Sequence, residues 1–407
     1  MPDVIFTVPF AMEATARFVR AAARREGLRL GIVSQEPLER LPEEIRDNVA
    51  GYQQVGSALD PDQLTVAVRA LAHGWGGNVD ALVGILEPLQ ESLATTRERL
   101  GIPGMGAEAA LNFRDKARMK DLLRSSDLPC AQHRLCTTVD EAVDFAATCG
   151  YPIVVKPPAG AGARNTYRAE DETQLRGGLG SMPPSAERPV LLEEFMTGQE
   201  YSFDSVTING QHVFHSISCY HPSPLEVMET PWIQWGVLLP RSIDGPEFAA
   251  ISEFGPKALA KLGMDTGMTH MEWFRRPDDS IAISEVAARP PGAQFTSLIS
   301  YAHDLDFYDA WIRLVTEGEF EPPERQYSVG AAFLRGQGTG RVVDVHGLEQ
   351  AQRELSDLVV EAKLPQRGQA QASGYEGEGY VILRHPDTAV VEQGLQRVVS
   401  LLRVELG

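Results

Sequence analysis

The chain has 407 residues, 43% of them hydrophobic and 23% charged, which is ordinary for a globular protein and long enough for roughly two or three domains. Its formal net charge of −19 argues against nonspecific binding to nucleic acid, because that affinity comes from Lys and Arg neutralising phosphates. No apolar run reaches membrane-spanning length and no basic leader precedes an apolar segment, so a cytoplasmic chain with no membrane partner is expected.

The first third alternates strand and helix. Val4 to Val8 reads as a short apolar strand, Ala11 to Arg25 as a helix rich in Ala and Arg, and Leu28 to Val33 as a second strand. Asp80 to Leu86 reads as another strand, followed by a helical run from Leu89 to Leu100. Such βαβ alternation implies a parallel sheet covered by helices. No G-x-G-x-x-G follows the first strand, so a dinucleotide fingerprint is missing, although ligands also bind at the carboxyl ends of such strands. Cys130, Cys136, Cys149 and Cys219 lack paired C-x-x-C spacing and are expected to be buried free thiols.

From about Asn112 the character changes. Arg114-Asp-Lys116-Ala-Arg-Met-Lys120 opens a helix with Leu122 and Leu123 as core positions, and Asp127-Leu-Pro129 ends it. Tyr151 to Lys156 is a compact strand with a lysine at its end, followed by Pro157-Pro-Ala-Gly160-Ala-Gly162-Ala. Small residues let backbone amides approach phosphate oxygens, and the lysine adds a point charge; a flexible turn with a solvated lysine is the plainer alternative. Val190 to Met196 carries Glu193 and Glu194 inside an apolar strand, and Tyr201 to Val206 alternates as the next. A buried carboxylate needs donors, supplied either by a ligand's amine and hydroxyls or by an Arg or Lys of the core.

The densest signal is Glu272 to Gly292. Met271 to Phe274 and Ile281 to Val286 are strand-like, with turn chemistry between them in Arg276-Pro-Asp-Asp-Ser280. Glu272 and Glu285 lie on the two arms, so antiparallel pairing brings them close on one face, and Arg289 adds a permanent positive charge. Two carboxylates with an arginine suit Mg2+ and polyphosphate; a solvated surface hairpin is the alternative. The segment from Ser216 through Trp235 is rich in aromatics that either wall a side-chain pocket or are core. His221 and His270 either assist proton removal or are structural.

The order of these pieces resembles the ATP-grasp superfamily over nearly the whole chain. The resemblance rests on the Lys-bearing helix, the strand-end lysine with its small-residue loop, Glu-Glu-Phe-Met-x-Gly-x-Glu, and His-x-Glu…Glu-x-x-x-Arg. It implies an α/β fold of ATP-grasp architecture: an N-terminal parallel α/β domain (1–111), an ATP-grasp domain (112–324) with a small lid subdomain at about 120–195, and a C-terminal α+β region (325–407). It further implies that Lys116 and Lys156 contact ATP phosphates and that Gly160 and Gly162 form a mobile lid loop. Glu193 would contact the adenine amine, the backbone of Glu194 and Met196 would read the adenine edge, Phe195 would be a further cofactor-binding residue, and Glu200 would hold the ribose. Glu272 and Glu285 would ligate Mg2+, with Mn2+ as a substitute, and Arg289 would contact phosphate and the reacting carboxylate.

Where the family commonly has Asn two residues after the second metal ligand, this chain has Ala287. The Ala-Arg-Pro-Pro-Gly ending is similar to amino acid ligases of the bacilysin and carnosine synthase type, as is the carboxyl-terminal third, with Gly374-Tyr375, Glu378 to Ala389 and a final helix from Val391 to Leu402. The activity implied is ATP-dependent ligation of a carboxylate to an amine through an acylphosphate, giving a dipeptide or amino-acid amide with ADP and phosphate. The expected partners are therefore ATP and small carboxylate and amine substrates. His221, Trp232, Trp235, His270 and Gly292 are candidate substrate contacts, and a homodimer is left open. A purine-pathway or carboxylase-like enzyme, and a noncatalytic ATP-binding regulator motivated by Ala287, are the competing readings.

Overall fold

Val4, Ile5, Phe6 and Val8 are all buried in the first strand, Asp3–Val8, because helices cover both faces of its sheet. In this computed structural model, which describes residues 1–160, 165–181, 183–230 and 232–407, that strand pairs in parallel with Arg29–Ser34 and Ala81–Val83. Gly51–Gln54 adds a fourth parallel strand at the edge. The sequence reading of 80–86 as one strand is too long: the ladder stops at Val83, and the chain passes through Gly84 into a short helical turn, Glu87–Leu89. That turn lies at the carboxyl end of the strand, where a parallel sheet presents ligand-binding groups.

A second sheet of four antiparallel strands has the order His133–Cys136, Val190–Glu194, Ile153–Lys156, Tyr167–Ala169. Its hydrophobic face packs on helices Val139–Cys149 and Glu172–Ser181, forming a small core separate from the rest. Helix Lys116–Arg124 leads into this sheet. Asp115 caps it by accepting from the N–H groups of Ala117 and Arg118, which fixes Lys116 at its first turn.

The third sheet is the largest. Its eight strands run in the order Ile281–Ala287, Gly267–Arg275, Gln199–Ile208, Gln211–His221, Trp235–Leu239, Ser328–Leu334, Gly379–His385, Val359–Lys363. Strands from the last eighty residues thus continue the sheet that holds the Glu272 hairpin. The turn into its third strand is tight. Gly198 has φ +127°, and a Cβ there would sit 2.1 Å from the Arg275 carbonyl oxygen, so only glycine lets Gln199–Ile208 start this close to its neighbour. The amide of Ile283 donates to the Pro129 carbonyl at 2.8 Å, tying the hairpin to the segment after the Lys-bearing helix.

All four cysteines are free, but only Cys136 is buried; Cys130, Cys149 and Cys219 are half-buried. The expectation of four buried thiols is corrected for those three. Cys149 ends a helix over a small core that covers one side of it only.

Candidate active site

One cavity of about 720 Å3 lies between the small antiparallel sheet and the large one. On its floor the two arms of the acidic hairpin pair so that Glu272 stands directly opposite Glu285, with a bulge just beyond Glu272. Bulges re-aim side chains beside functional sites. Glu285 holds Lys116 Nζ at 2.8 Å. Burial opposes ionisation of Glu285, but Lys116 and Lys156 outweigh it and bring its pKa down to about 2. Glu200, also buried, shifts the other way: burial and then the Glu272 carboxylate push it well above the usual range.

Beside Glu272, the Nδ1 of His270 is 2.6 Å from Asp204, and its Nε2 is 3.7 Å from Glu272. Burial lowers its basicity, yet Asp204 and Glu272 more than restore it, to about 9. Both ring nitrogens face carboxylates, an arrangement that favours the protonated ring over a free base. Ala287 lines the cavity as the register partner of His270, so no side-chain oxygen is available at that position.

The roof comes from the small sheet. Lys156 Nζ lies 2.8 Å from Glu193, and Lys120 Nζ lies 3.2 Å from the other Glu193 oxygen, off hydrogen-bond geometry. Lys120 instead donates to the Ser284 carbonyl, across to the acidic hairpin. The core lysine partner that the sequence left open for Glu193 is therefore real, and it is double. Burial would neutralise this cluster, but Lys120 and Lys156 hold Glu193 below its ordinary pKa. Burial and Glu193 likewise contend at Lys156, and there Glu193 and Glu285 win, raising it. At Lys120 burial wins and the pKa falls.

Gly160 closes this end. Its carbonyl accepts from Lys116 at 3.1 Å and from Arg114 at 3.2 Å. Gly162 lies outside the described residues. The amides of Glu194 and Phe195 are spent on the carbonyls of Gln132 and Pro152, and the Glu194 carboxylate pairs with Arg276. Among the described residues the Met196 amide has no hydrogen-bond partner, although the residue lines the cavity. A free amide on a cavity wall suits the edge of a heterocycle.

Close by, Arg289 Nε donates to Glu87 at 2.8 Å, and the Arg114 nitrogen that reaches Gly160 approaches the other Glu87 oxygen at 3.7 Å. Glu87 belongs to the turn after the Ala81–Val83 strand, so the first sheet reaches into the site through it. Burial alone would weaken the Arg289 charge, and Glu87 more than compensates. Gly292 and Trp235 line the cavity, and His221 stands at its exposed edge. Trp232 does not line it: it is 67% exposed, and the candidate substrate contact there is corrected. Two tryptophans three residues apart look alike in sequence, but only Trp235 has entered a strand.

Sequence reasoning missed Lys120, Glu87, Asp204 and Tyr375. Lys120 had a signal, since it follows Lys116 by one helical turn and shares its face. Glu87 had none, because it arrives through long-range packing, and Tyr375 was marked only within the Gly374-Tyr375 pair of the resemblance, with no role attached.

The carboxylate pair fits Mg2+. That ion takes one or two protein carboxylates and completes its shell with phosphate oxygens and water. Glu272 and Glu285 supply two oxygen donors on one ladder, and among the described residues no third His, Cys, Asp or Glu joins them in a closed metal cage. The upward push of Glu272 on Glu200 marks the side of the site where negative charge is least neutralised.

Residues 115–202 match the family model described as the carbamoyl-phosphate synthase L chain, ATP binding domain. An L-arginine-specific L-amino acid ligase of Bacillus subtilis is 26% identical over 239 residues, covering 56% of this chain and 57% of that protein. The chain thus aligns with little more than half the length of that curated relative. Among solved structures, an L-amino acid ligase from Bacillus licheniformis superposes with a TM-score of 0.80 at 18% identity, covering 100% of this chain and 99% of that one. A carboxyaminoimidazole ribonucleotide synthase from Aspergillus clavatus complexed with ATP gives 0.73 at 18% identity, covering 98% of each. The likeness at this identity concerns the fold, which is the ATP-grasp architecture expected from sequence.

Proposed function

We propose that this ATP-grasp chain is an ATP-dependent ligase that joins a carboxylate to an amine and releases ADP and phosphate. The observation that carries the reading is the Glu272–Glu285 pair, opposed on one ladder, with Lys116, Lys156 and Arg289 around it on the walls of a single cavity. Phosphoryl transfer is catalysed chiefly by positioning and charge neutralisation, and this inventory supplies both.

Under this reading the Met196 amide and the Glu194 carbonyl take the adenine edge, with Phe195 beside them, and Glu200 takes the ribose. Glu193 anchors Lys120 and Lys156, and through Lys156 it sets the charge that meets the phosphates. Lys116 and Gly160, joined through the Gly160 carbonyl, lie beside them. Glu272 and Glu285 would hold Mg2+, which when bound neutralises phosphate charge and orients the γ-phosphate. Arg289, braced by Glu87, turns the substrate carboxylate toward that phosphorus. One carboxylate oxygen attacks, ADP leaves, and the acylphosphate is kept from water by the closed cavity. The amine nitrogen then attacks the acyl carbon, and the C–O bond to phosphate breaks. Arg289 and the Gly292 segment stabilise the oxyanion formed between those two events.

The product proposed is a dipeptide or an amino-acid amide, and the proposed domain division is 1–111, 112–324 and 325–407. The ATP demand of such a reaction is met in the cytoplasm, the compartment we assign. Incubating the protein with ATP, Mg2+ and pairs of amino acids should release ADP and phosphate in step with a new amide. AMP and pyrophosphate as products would overturn the mechanism, and no nucleotide turnover despite ATP binding would favour a regulator.

A further inference from the structure

Beyond Arg289 the cavity continues to a wall that the phosphate chemistry does not use. It is made by Tyr220, Leu225, Trp235, Ala293, Phe295 and Tyr375. These come from five separate segments, yet the rings are locked together. Trp235 meets Tyr375 edge-on at 4.6 Å and Tyr220 at 5.7 Å, and Tyr220 meets Phe295 at 5.8 Å. Behind them Phe333 stacks on Trp235 at 4.7 Å. Beside Arg289 the wall is cut back: Ala293 offers only a methyl group, and a Cβ on Gly292 would meet nothing within 4 Å.

No member of this wall carries a charge. The charged groups nearest to it are already assigned: His270 is engaged by Asp204, Arg289 by Glu87, and the Glu272 carboxylate, which faces Tyr220 and Tyr375, is committed to Mg2+ in the ligase reading. Glu226 lines the cavity but is exposed at its mouth, where water solvates it. A guanidinium, ammonium or carboxylate pressed against this wall would lose its hydration and gain no partner, whereas a branched or aromatic side chain would bury apolar area against fixed rings. Apolar pockets with a few convergent polar groups at one end are the usual form of a small-molecule site.

We infer that the amino acid activated at Arg289 carries an apolar branched or aromatic side chain, which rests on this wall. This choice is distinct from the arginine named for the Bacillus subtilis relative. It rests on the ligase reading for the word "activated" and for the commitment of Glu272 to Mg2+, and on the wall for the apolar side-chain class.

Hydroxylamine can replace the amine substrate, so single amino acids can be tested with ATP and Mg2+ for hydroxamate formation. Leucine, isoleucine and phenylalanine should be used with kcat/KM at least about 100-fold above arginine, lysine and aspartate. Leu225→Glu should raise the relative use of arginine about tenfold or more, while Glu226→Gln should leave the preference unchanged. Tyr375→Phe keeps the ring and should keep the preference, and Tyr375→Ala should raise KM for phenylalanine with little change in kcat. Arginine or aspartate used as well as phenylalanine by the unaltered protein would overturn the inference. Calorimetry with the same amino acids separates the two claims. Phenylalanine binding without any hydroxamate would sink the ligase reading and support the wall, and phenylalanine binding no tighter than arginine would sink the wall.

Discussion

Glu193 is 3% exposed in its side chain and stands between Lys156, which is 10% exposed, at 2.8 Å and the fully buried Lys120 at 3.2 Å. Glu193→Gln keeps the shape and removes the charge. Lys156 would keep the influence of Glu285, but Lys120 would retain only the Ser284 carbonyl. Breaking a buried pair by removing one partner costs about 3–5 kcal/mol, because the other charge is stranded. The loss should appear in urea unfolding at neutral pH, with ATP binding weakened because Lys156 is no longer held. Lys120→Met should cost similarly by stranding the other partner. Combining it with Glu193→Gln should recover part of the loss, since replacing a whole buried pair is often close to neutral. The cycle should therefore show coupling above about 1.5 kcal/mol. Single changes that cost less than about 1 kcal/mol and simply add would refute the claim that Glu193 anchors the lysines.

Three other outcomes follow from the geometry. Glu285→Gln should cut Mg2+-dependent turnover by about 100-fold or more while circular dichroism stays unchanged, and near-native turnover would remove the metal assignment. Lys156→Ala should raise the KM for ATP and lower kcat together, and unchanged ATP binding by calorimetry would make Lys156 a merely structural residue. Burial, with Arg325 and for one of them His212 adding to it, depresses His215 and His303 to about 4 from an ordinary 6.5. The unfolded chain then binds more protons between those values, so stability is full above about pH 6.5 and falls as pH drops toward 4, by up to a few kcal/mol per histidine. Urea unfolding at pH 7 and pH 5 should show this slope. It should flatten in His215→Gln with His303→Gln, and a slope unchanged by those substitutions would rule out the two histidines as its source.

The elements legible in the sequence are those whose pattern is local. The acidic hairpin could be read because alternating apolar residues and a turn fix which side chains oppose, and the register pairs Glu272 with Glu285. The Asp3–Val8 strand could be read because burial on both faces favours a near-continuous apolar run, here interrupted only by Thr7 after Val4. Gly51–Gln54 was not legible: it is a polar edge strand whose place is set by its neighbour and not by its own side chains. The aromatic segment before Trp235 concealed an eleven-residue strand, Gln211–His221, whose alternation is broken by a bulge near His212. Lys120 reads as one more solvated helix lysine until the large sheet and Glu193 close over it. Glu87 and Tyr375 enter the site only because the first sheet and the chain beyond Leu334 fold back onto the same cavity, and no local spacing records that.

The central claim is that a carboxylate oxygen attacks the γ-phosphate. It is tested most directly by turning over a donor amino acid labelled with 18O in its carboxyl group and analysing the released phosphate by mass spectrometry. The account predicts one labelled oxygen per phosphate, with ADP as the nucleotide product. Unlabelled phosphate, or label recovered in AMP, would contradict it.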